Sequence, residues 1–249
     1  MNNIGAQLYT VRDFLTTDAE IARTLGEIKE IGYTSVQAFG DTKLLESCAK
    51  AAKKVGLDIV GILADLPTCK NCEKELFDIC REYNISDIGV SAGFADFQKP
   101  EPYIAEVNAF AKKAVAAGFT FSYHNHGAEF IRLDDGKTAM EHFLEEFDPE
   151  VVDFMPDTYW LHDGGYDVRR FLEQTKNRVK ILHLKDLKRT MEGHIFTEVG
   201  SGNLYFEGIL KIAMENGVTN FVVEQDICEG NPMDSLKKSF AYVKGLLEG

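Results

Sequence analysis
Apolar residues run through this chain with two alternating periods. Short runs of apolar, often β-branched residues are each followed by a longer segment in which apolar positions fall at helical spacing, the marks of a strand and of an amphipathic helix. Ile4 to Gln7 is a short strand and Asp18 to Ile31 its helix, with Ile21, Leu25 and Ile28 on one stripe and Gly32 as the stop. The pair recurs as Thr34 to Gln37 with Thr42 to Val55, Asp58 to Leu63 with Cys72 to Tyr83, and Asp87 to Val90 with Tyr103 to Ala117, ended by Gly118. The second half repeats it as Phe119 to His124 with Thr138 to Phe147, and Val151 to Met155 with Val168 to Thr175. Val179 to Leu184 then pairs with Phe206 to Glu215, and Thr219 to Glu224 with Met233 to Leu247.

The alternation is unbroken by a linker, a low-complexity tract or a charge block. Parallel strands joined by helical crossovers need cover on both faces. Eight such units within 249 residues fit an α/β single domain, a (β/α)8 TIM barrel over residues 1–249, better than a doubly wound open sheet. No glycine-rich nucleotide fingerprint or Walker loop stands where one is expected, and Gly200-Ser-Gly202 is too little to supply one.

Composition narrows the partners. Hydrophobic residues make up 45% and charged residues 27%, an ordinary globular mixture. A formal net charge of -13 argues against binding a phosphate backbone, so no nucleic-acid partner is expected, although local cations can still hold a small anion. The 5 cysteines are odd in number and follow no secretory leader, which argues against a disulfide scaffold. Cys69 and Cys72 form a CxxC read as an incidental thiol pair rather than a redox or zinc motif. With no apolar run of membrane length and no basic leader, a cytoplasmic protein without a membrane partner is expected.

Chemistry-bearing residues gather at the C-terminal ends of the strands, which in a barrel converge on one pocket. These are Tyr123-His-Asn-His126 followed by Glu129, then Asp157 and Trp160, His183 with Lys185 and Asp186, and Glu224-Gln-Asp226. His124 and His126 share a face if their strand continues. With Asp157, His183 and Glu224 they make a mixed nitrogen and oxygen donor set suited to a divalent ion. Such an ion polarises a carbonyl and stabilises an enediolate while a nearby carboxylate or histidine moves the α-proton. Each residue also has a plainer reading. Asp157 can cap a helix, His183 can be a satisfied core histidine, Glu129 can face solvent, and Lys185 can pair with Asp186. Gln7 and Tyr9 after the first strand, Gln37 and Phe39 after the second, and Trp160 are candidates for sugar hydroxyls or an apolar wall. Arg12, Lys188 and Arg189 are candidates for an anion pocket, and Glu198-Val-Gly-Ser-Gly202 is either a mobile loop over the pocket or a turn.

Gly5-Ala-Gln-Leu-Tyr-Thr-Val-Arg12, Tyr123-His-Asn-His126 with Glu129-Phe130, and Asp157-Thr-Tyr-Trp160 carry a further signal. Together with His183-Leu-Lys-Asp186, Glu198-Val-Gly-Ser-Gly202 and Val223-Glu-Gln-Asp226, they resemble the sugar phosphate isomerase/epimerase family of the xylose-isomerase-like barrel superfamily. Order and spacing over nearly the whole chain carry the resemblance, not any one tetrapeptide. It implies one divalent metal ion (Mn, Co, Zn, Fe or Mg) held by residues from strands five to eight, with Asp157, His183 and Glu224 as ligands. The family's usual fourth ligand is a glutamate at the end of strand five. Here that place reads His124-Asn-His126 with Glu129 beyond it. His124 is taken as the ligand, with His126 or Glu129 beside Glu224 and Lys185 as the catalytic groups, and all three strand-five residues stay in contention for the ligand's place. Leu63-Ala-Asp65 lacks the histidine that many relatives carry, which weakens a DNA-repair activity.

The resemblance therefore implies an isomerase or epimerase acting on a sugar, keto-sugar or cyclitol through an enediolate. The alternative is a lyase or dehydratase acting on an inosose or a 3-keto-glycoside, because both reactions begin with the same proton abstraction. A non-enzymatic sugar-binding barrel predicts neither a metal nor a general base. A homodimer is an option carried by the resemblance alone.

Overall fold
In the computed structural model, which describes residues 3–248, strands and helices alternate from β1 (Asn3–Gln7) onward. The next strands are β2 (Ser35–Phe39), β3 (Asp58–Asp65), β4 (Asp87–Ser91), β5 (Thr120–His124), β6 (Asp153–Met155) and β7 (Ile181–Leu184). A hairpin of β8 (Asp186–Arg189) and β9 (His194–Thr197) precedes the last barrel strand, β10 (Asn220–Val223). The 8-stranded sheet runs β6-β5-β4-β3-β2-β1-β10-β7, and its strand pairs are parallel. Parallel bridges from Phe154 to Val179 and from Asp157 to His183 join β6 to β7 and close the barrel.

The alternation of side chains along each strand separates two apolar regions. Val36, Ile62, Val90, Phe121, Phe154, Leu182 and Phe221 join the large cluster shared with the surrounding helices. Met155, Ile181 and Val222, with Val60 and Leu63 packed on them, form a separate small cluster. Space beside that small cluster is tight. A Cβ on Gly89 would lie 2.9 Å from Met155 Cε and 3.0 Å from the Ile62 carbonyl oxygen. The helices begin and end on local signals. In Asp18–Ile31, the Thr17 hydroxyl accepts a hydrogen bond from Glu20 N, and Gly32 leaves in the left-handed conformation at φ 119°, which a side chain would strain.

All eight expected strands are present, with ends shifted by up to two residues. Several features differ from expectation, among them the short helices Phe94–Gln98 and Thr158–Asp163, which the pattern did not mark. The single helix expected over Cys72 to Tyr83 begins earlier and breaks, as Leu66–Asn71 and Glu73–Glu82, because Asp65 caps a first turn and Cys72 has non-helical angles. The helix expected from Tyr103 starts at Pro100, where a proline fits the first turn. The β8–β9 hairpin was not anticipated. Its turn is closed by Thr190 N donating to the Gly193 carbonyl. All 5 cysteines are free, and burial pushes the Cys69 and Cys80 thiols up to about 12, in keeping with inert packing groups. Among the described residues, no helix is long and apolar enough to cross a membrane.

Because relief at Gly89 would require movement of backbone as well as the Met155 tip, Gly89→Ala is expected to destabilise the barrel by about 1–3 kcal/mol. A lowered urea midpoint at unchanged slope is the expected reading, and an unchanged midpoint would show that the interior yields freely.

Candidate active site
Four strands end on one cluster. His124 closes β5, Asp157 lies two residues past β6, His183 lies within β7, and Glu224 follows β10. All four are buried, and one potential ligand atom from each lies within 4.8 Å of the others. This is the convergence that barrel geometry imposes on residues far apart in sequence.

Hydrogen bonds orient the donors. His183 Nε2 stands 2.6 Å from Gln37 Oε1, which also accepts from Gln7 Nε2 at 2.6 Å. Gln37 Oε1 can only accept, so Nε2 donates to it, while Nδ1 stands 2.9 Å from Glu224 Oε2. At this spacing Nδ1 and Oε2 are placed to serve as neighbouring donors on one cation. Asp157 divides its work between its two oxygens. Oδ1 accepts from Trp160 N at 3.0 Å and caps Thr158–Asp163, whereas Oδ2 is buried without a hydrogen-bond partner. The capping and ligating readings of Asp157 are thus compatible. The two imidazoles, two carboxylates and orphaned Oδ2 fit a divalent cation.

Lys185 adds a fixed positive charge. Its Nζ lies 3.1 Å from Asp157 Oδ2, 3.2 Å from Glu224 Oε2 and 2.8 Å from Asp226 Oδ1. Burial alone would depress the ammonium, but those three carboxylates outweigh it and hold it protonated. Burial likewise tends to raise Glu224, yet Lys185 and His183 keep it well below the usual carboxylate range. Burial raises Asp157 to about 6 against the pull of Lys185. For His124 and His126, burial first and then neighbouring positive charge favour the neutral form. His126 is lowered to about 4, and His124 falls well below its ordinary value.

The expected pairing of Lys185 with Asp186 does not occur, since consecutive strand residues point to opposite faces. Asp186 instead accepts from the backbone N–H groups of Leu187, Gly200, Gly202 and Leu204 at 2.8, 3.0, 2.9 and 3.2 Å. Glu198 is tied to Lys238 at 3.0 Å and to Ser235 at 3.2 Å. The Glu198–Gly202 segment is therefore a pinned turn and not a mobile loop.

A cavity of about 550 Å³ opens beside the cluster, with Gln7, Tyr9, His124, His126, Glu224 and Asp226 on its wall. Gln37 lies behind the wall as the support of His183. Glu129 is also behind it, fully buried, accepting from His126 N at 2.7 Å and from the Tyr123 hydroxyl at 2.8 Å. Trp160 is half-buried beside His126, with ring centroids 5.7 Å apart. Lys185 is buried and reaches the site through its carboxylates. The proposed anion pocket does not assemble. Arg12 donates to the carbonyls of Tyr9 and Asp226 at 3.0 and 2.9 Å, and Lys188 and Arg189 are exposed on the hairpin. His142 lies apart, between Asp135 and Glu146.

Asp226, which the sequence groups with Glu224 at the strand end without a role of its own, stands on the wall, where its two-residue offset from Glu224 gives both a common face if the strand direction continues. Asp41 and Asp65, also on the wall, carry only the ordinary signal of helix caps.

A model of the xylose isomerase-like TIM barrel family matches residues 25–246. Among curated relatives, an inosose dehydratase from Mesomycoplasma hyopneumoniae is 28% identical over 164 residues, which cover 57% of this chain and 52% of that protein. The chain thus spans about half the length of the curated relatives it matches. A sugar phosphate isomerase/epimerase structure from Parabacteroides distasonis superposes with a TM-score of 0.81 at 24% identity, covering 98% of this chain and 93% of that one. A xylose isomerase-like TIM barrel protein from Mycobacterium smegmatis, in complex with magnesium, gives 0.74 at 15% identity, covering 99% and 97%.

The four N–H groups gathered on Asp186 have a measurable consequence. Asp186→Ala is expected to cost about 1–3 kcal/mol by leaving donors unpaired, with faster hydrogen exchange at Gly200, Gly202 and Leu204. Unchanged exchange at those amides would show that the turn holds itself without the carboxylate.

Proposed function
The chain belongs to the xylose isomerase-like TIM barrel family, and on that premise we propose that it is a divalent-metal-dependent isomerase or epimerase of a sugar, keto-sugar or cyclitol. The observation that carries this reading is the buried His124, Asp157, His183 and Glu224 cluster, two of whose members reach the cavity wall. These four residues would hold the ion. When bound, it supplies a Lewis acid that polarises the substrate carbonyl and favours loss of the neighbouring proton.

The chain's own groups do the rest. His126, on the cavity wall, is the side chain we assign to take the α-proton at an imidazole nitrogen. Asp226, also on the wall, is a second carboxylate that can return a proton to the substrate. Glu129 acts behind them, fixing the His126 backbone, and Gln37 fixes His183. Lys185 positions Asp157, Glu224 and Asp226, and burial pushes Asp226 up, toward the protonated form that returning a proton requires. Gln7 and Tyr9 face the substrate's hydroxyl groups, and Trp160 backs His126. A second reading, a dehydratase, draws support from the curated relatives named inosose dehydratase. Its first step is the same, followed by loss of a β-hydroxyl instead of return of the proton.

Protein purified without chelator is expected to carry about one divalent ion per chain, most of it lost in Asp157→Ala and Glu224→Ala. In deuterated water it should exchange the α-proton of keto-sugars, and His126→Ala should slow that exchange by roughly 10²–10⁴ while keeping the metal. An epimer among the products supports the first reading and a dehydrated product the second. Little metal after incubation with Mn²⁺, Co²⁺ and Zn²⁺ would sink both.

A further inference from the structure
We infer that the pocket takes an uncharged glycoside, its sugar ring at the buried cluster and an aromatic aglycone against Tyr9 and Phe39, and that it rejects phosphorylated sugars. This rests on the sugar-pocket reading above and goes on to the class of sugar.

The case against phosphate comes from what the backbone N–H groups already hold. Anions bind barrels at helix N-termini and at nests of N–H groups, often in the loops after the seventh and eighth strands. Here the nest after β7 is filled by the protein's own Asp186, with Gly200 N and Gly202 N donating at 3.0 and 2.9 Å. The Thr42–Val55 helix, whose start adjoins the cavity, is capped by Asp41, which accepts from Leu44 N at 2.9 Å. The wall bears four carboxylates, Asp41, Asp65, Glu224 and Asp226, and among the described residues no lysine or arginine. Even with Lys185 and a divalent ion held at Asp157 and Glu224, the carboxylates of Asp41, Asp65, Asp157, Glu224 and Asp226 outnumber the positive charges, so the field that a phosphate would meet is repulsive.

The case for an aromatic substituent comes from the opposite wall. The cavity, at about 550 Å³, falls within the range of roughly 300–1,000 Å³ typical of sites that enclose drug-sized ligands, giving room beyond one sugar ring. Tyr9 and Phe39 stand edge to face with centroids 5.1 Å apart, and the Arg12 guanidinium lies 4.4 Å from the Tyr9 ring centroid. Tyr9 nevertheless keeps 38% of its surface exposed. A partly exposed ring held in place in this way offers aromatic contact surface at little cost in side-chain freedom.

Calorimetric titration of the metal-loaded protein with glucose, methyl β-D-glucopyranoside, phenyl β-D-glucopyranoside and glucose 6-phosphate tests the inference. The phenyl glycoside is expected to bind roughly three- to tenfold tighter than the methyl glycoside. That preference should survive Tyr9→Phe and vanish in Tyr9→Ala, with an unchanged circular dichroism spectrum and urea midpoint as the check on folding. Glucose 6-phosphate should bind more weakly than glucose, most clearly at low salt. Equal affinity for the two glycosides, a preference that persists in Tyr9→Ala, or tighter binding of the phosphate would overturn this inference and leave the sugar reading standing. If none of the neutral sugars bound, this inference would fall, and the exchange assay on keto-sugars would decide the sugar reading separately.

Discussion
The site depends on how the barrel is closed. Around most of the sheet, neighbouring strands share ladders of three or more paired residues. At the seam between β6 and β7 there are two isolated bridges, one of which joins Asp157 to His183. His183 N donates to the Pro156 carbonyl at 2.9 Å, and Thr158 locks the next residues by donating to the Lys185 carbonyl at 2.7 Å while accepting from Lys185 N at 3.0 Å. Two proposed ligands thus face each other across the join, with Lys185 one step beyond. A short β6 whose chain turns into a helix at Asp157 frees that residue's carboxylate to serve both the helix cap and the cluster.

Closing the barrel there concentrates charge where water is scarce. Burying carboxylates is costly unless each finds a cation or donors, and removing one partner from such a group exposes the full penalty for the others. Lys185 offsets part of that cost by meeting three carboxylates at once. It reaches Asp157 Oδ2 as an ion pair but gives it no hydrogen bond. A divalent cation would give that oxygen a common partner with His124, His183 and Glu224, which is why the donor set fits a metal centre as well as an ion-pair network.

The fold was legible because period and punctuation agreed. A buried strand followed by an amphipathic helix is a strong local pattern, and Gly32 and Gly118 mark helix ends through the left-handed backbone they adopt. The proposed metal ligands were legible for a related reason: His183 and Glu224 sit in or beside apolar strands, where a polar side chain requires a purpose. Direction was less legible. Lys185 and Asp186 are adjacent, and only the strand's pleat reveals that one turns to the cluster and the other to the Gly200 turn. Gln37 and Glu129 have residue types suited to substrate, but their hydrogen bonds show them supporting His183 and His126 from behind. The hairpin after β7 has too short a pattern to stand out, and Asp226, though visible at the strand end, carried no signal of its partner Lys185.

The same residue type therefore does three jobs, separated by what each carboxylate faces. Asp186 faces backbone N–H groups and fixes a turn. Asp41 faces a helix start and withdraws an anion-binding position from the cavity. Asp157 and Glu224 face imidazoles and Lys185 and build the cluster. The net charge of -13 alone gives none of these distinctions. It is the distribution that matters. Lys185 lies behind the wall and is shared among three carboxylates, while the groups that touch the cavity include acids, an amide, aromatic rings and His126. On the proposed function, such a wall would select its substrate by hydroxyl geometry and apolar contact, and leave the charge that develops during proton transfer to the cluster.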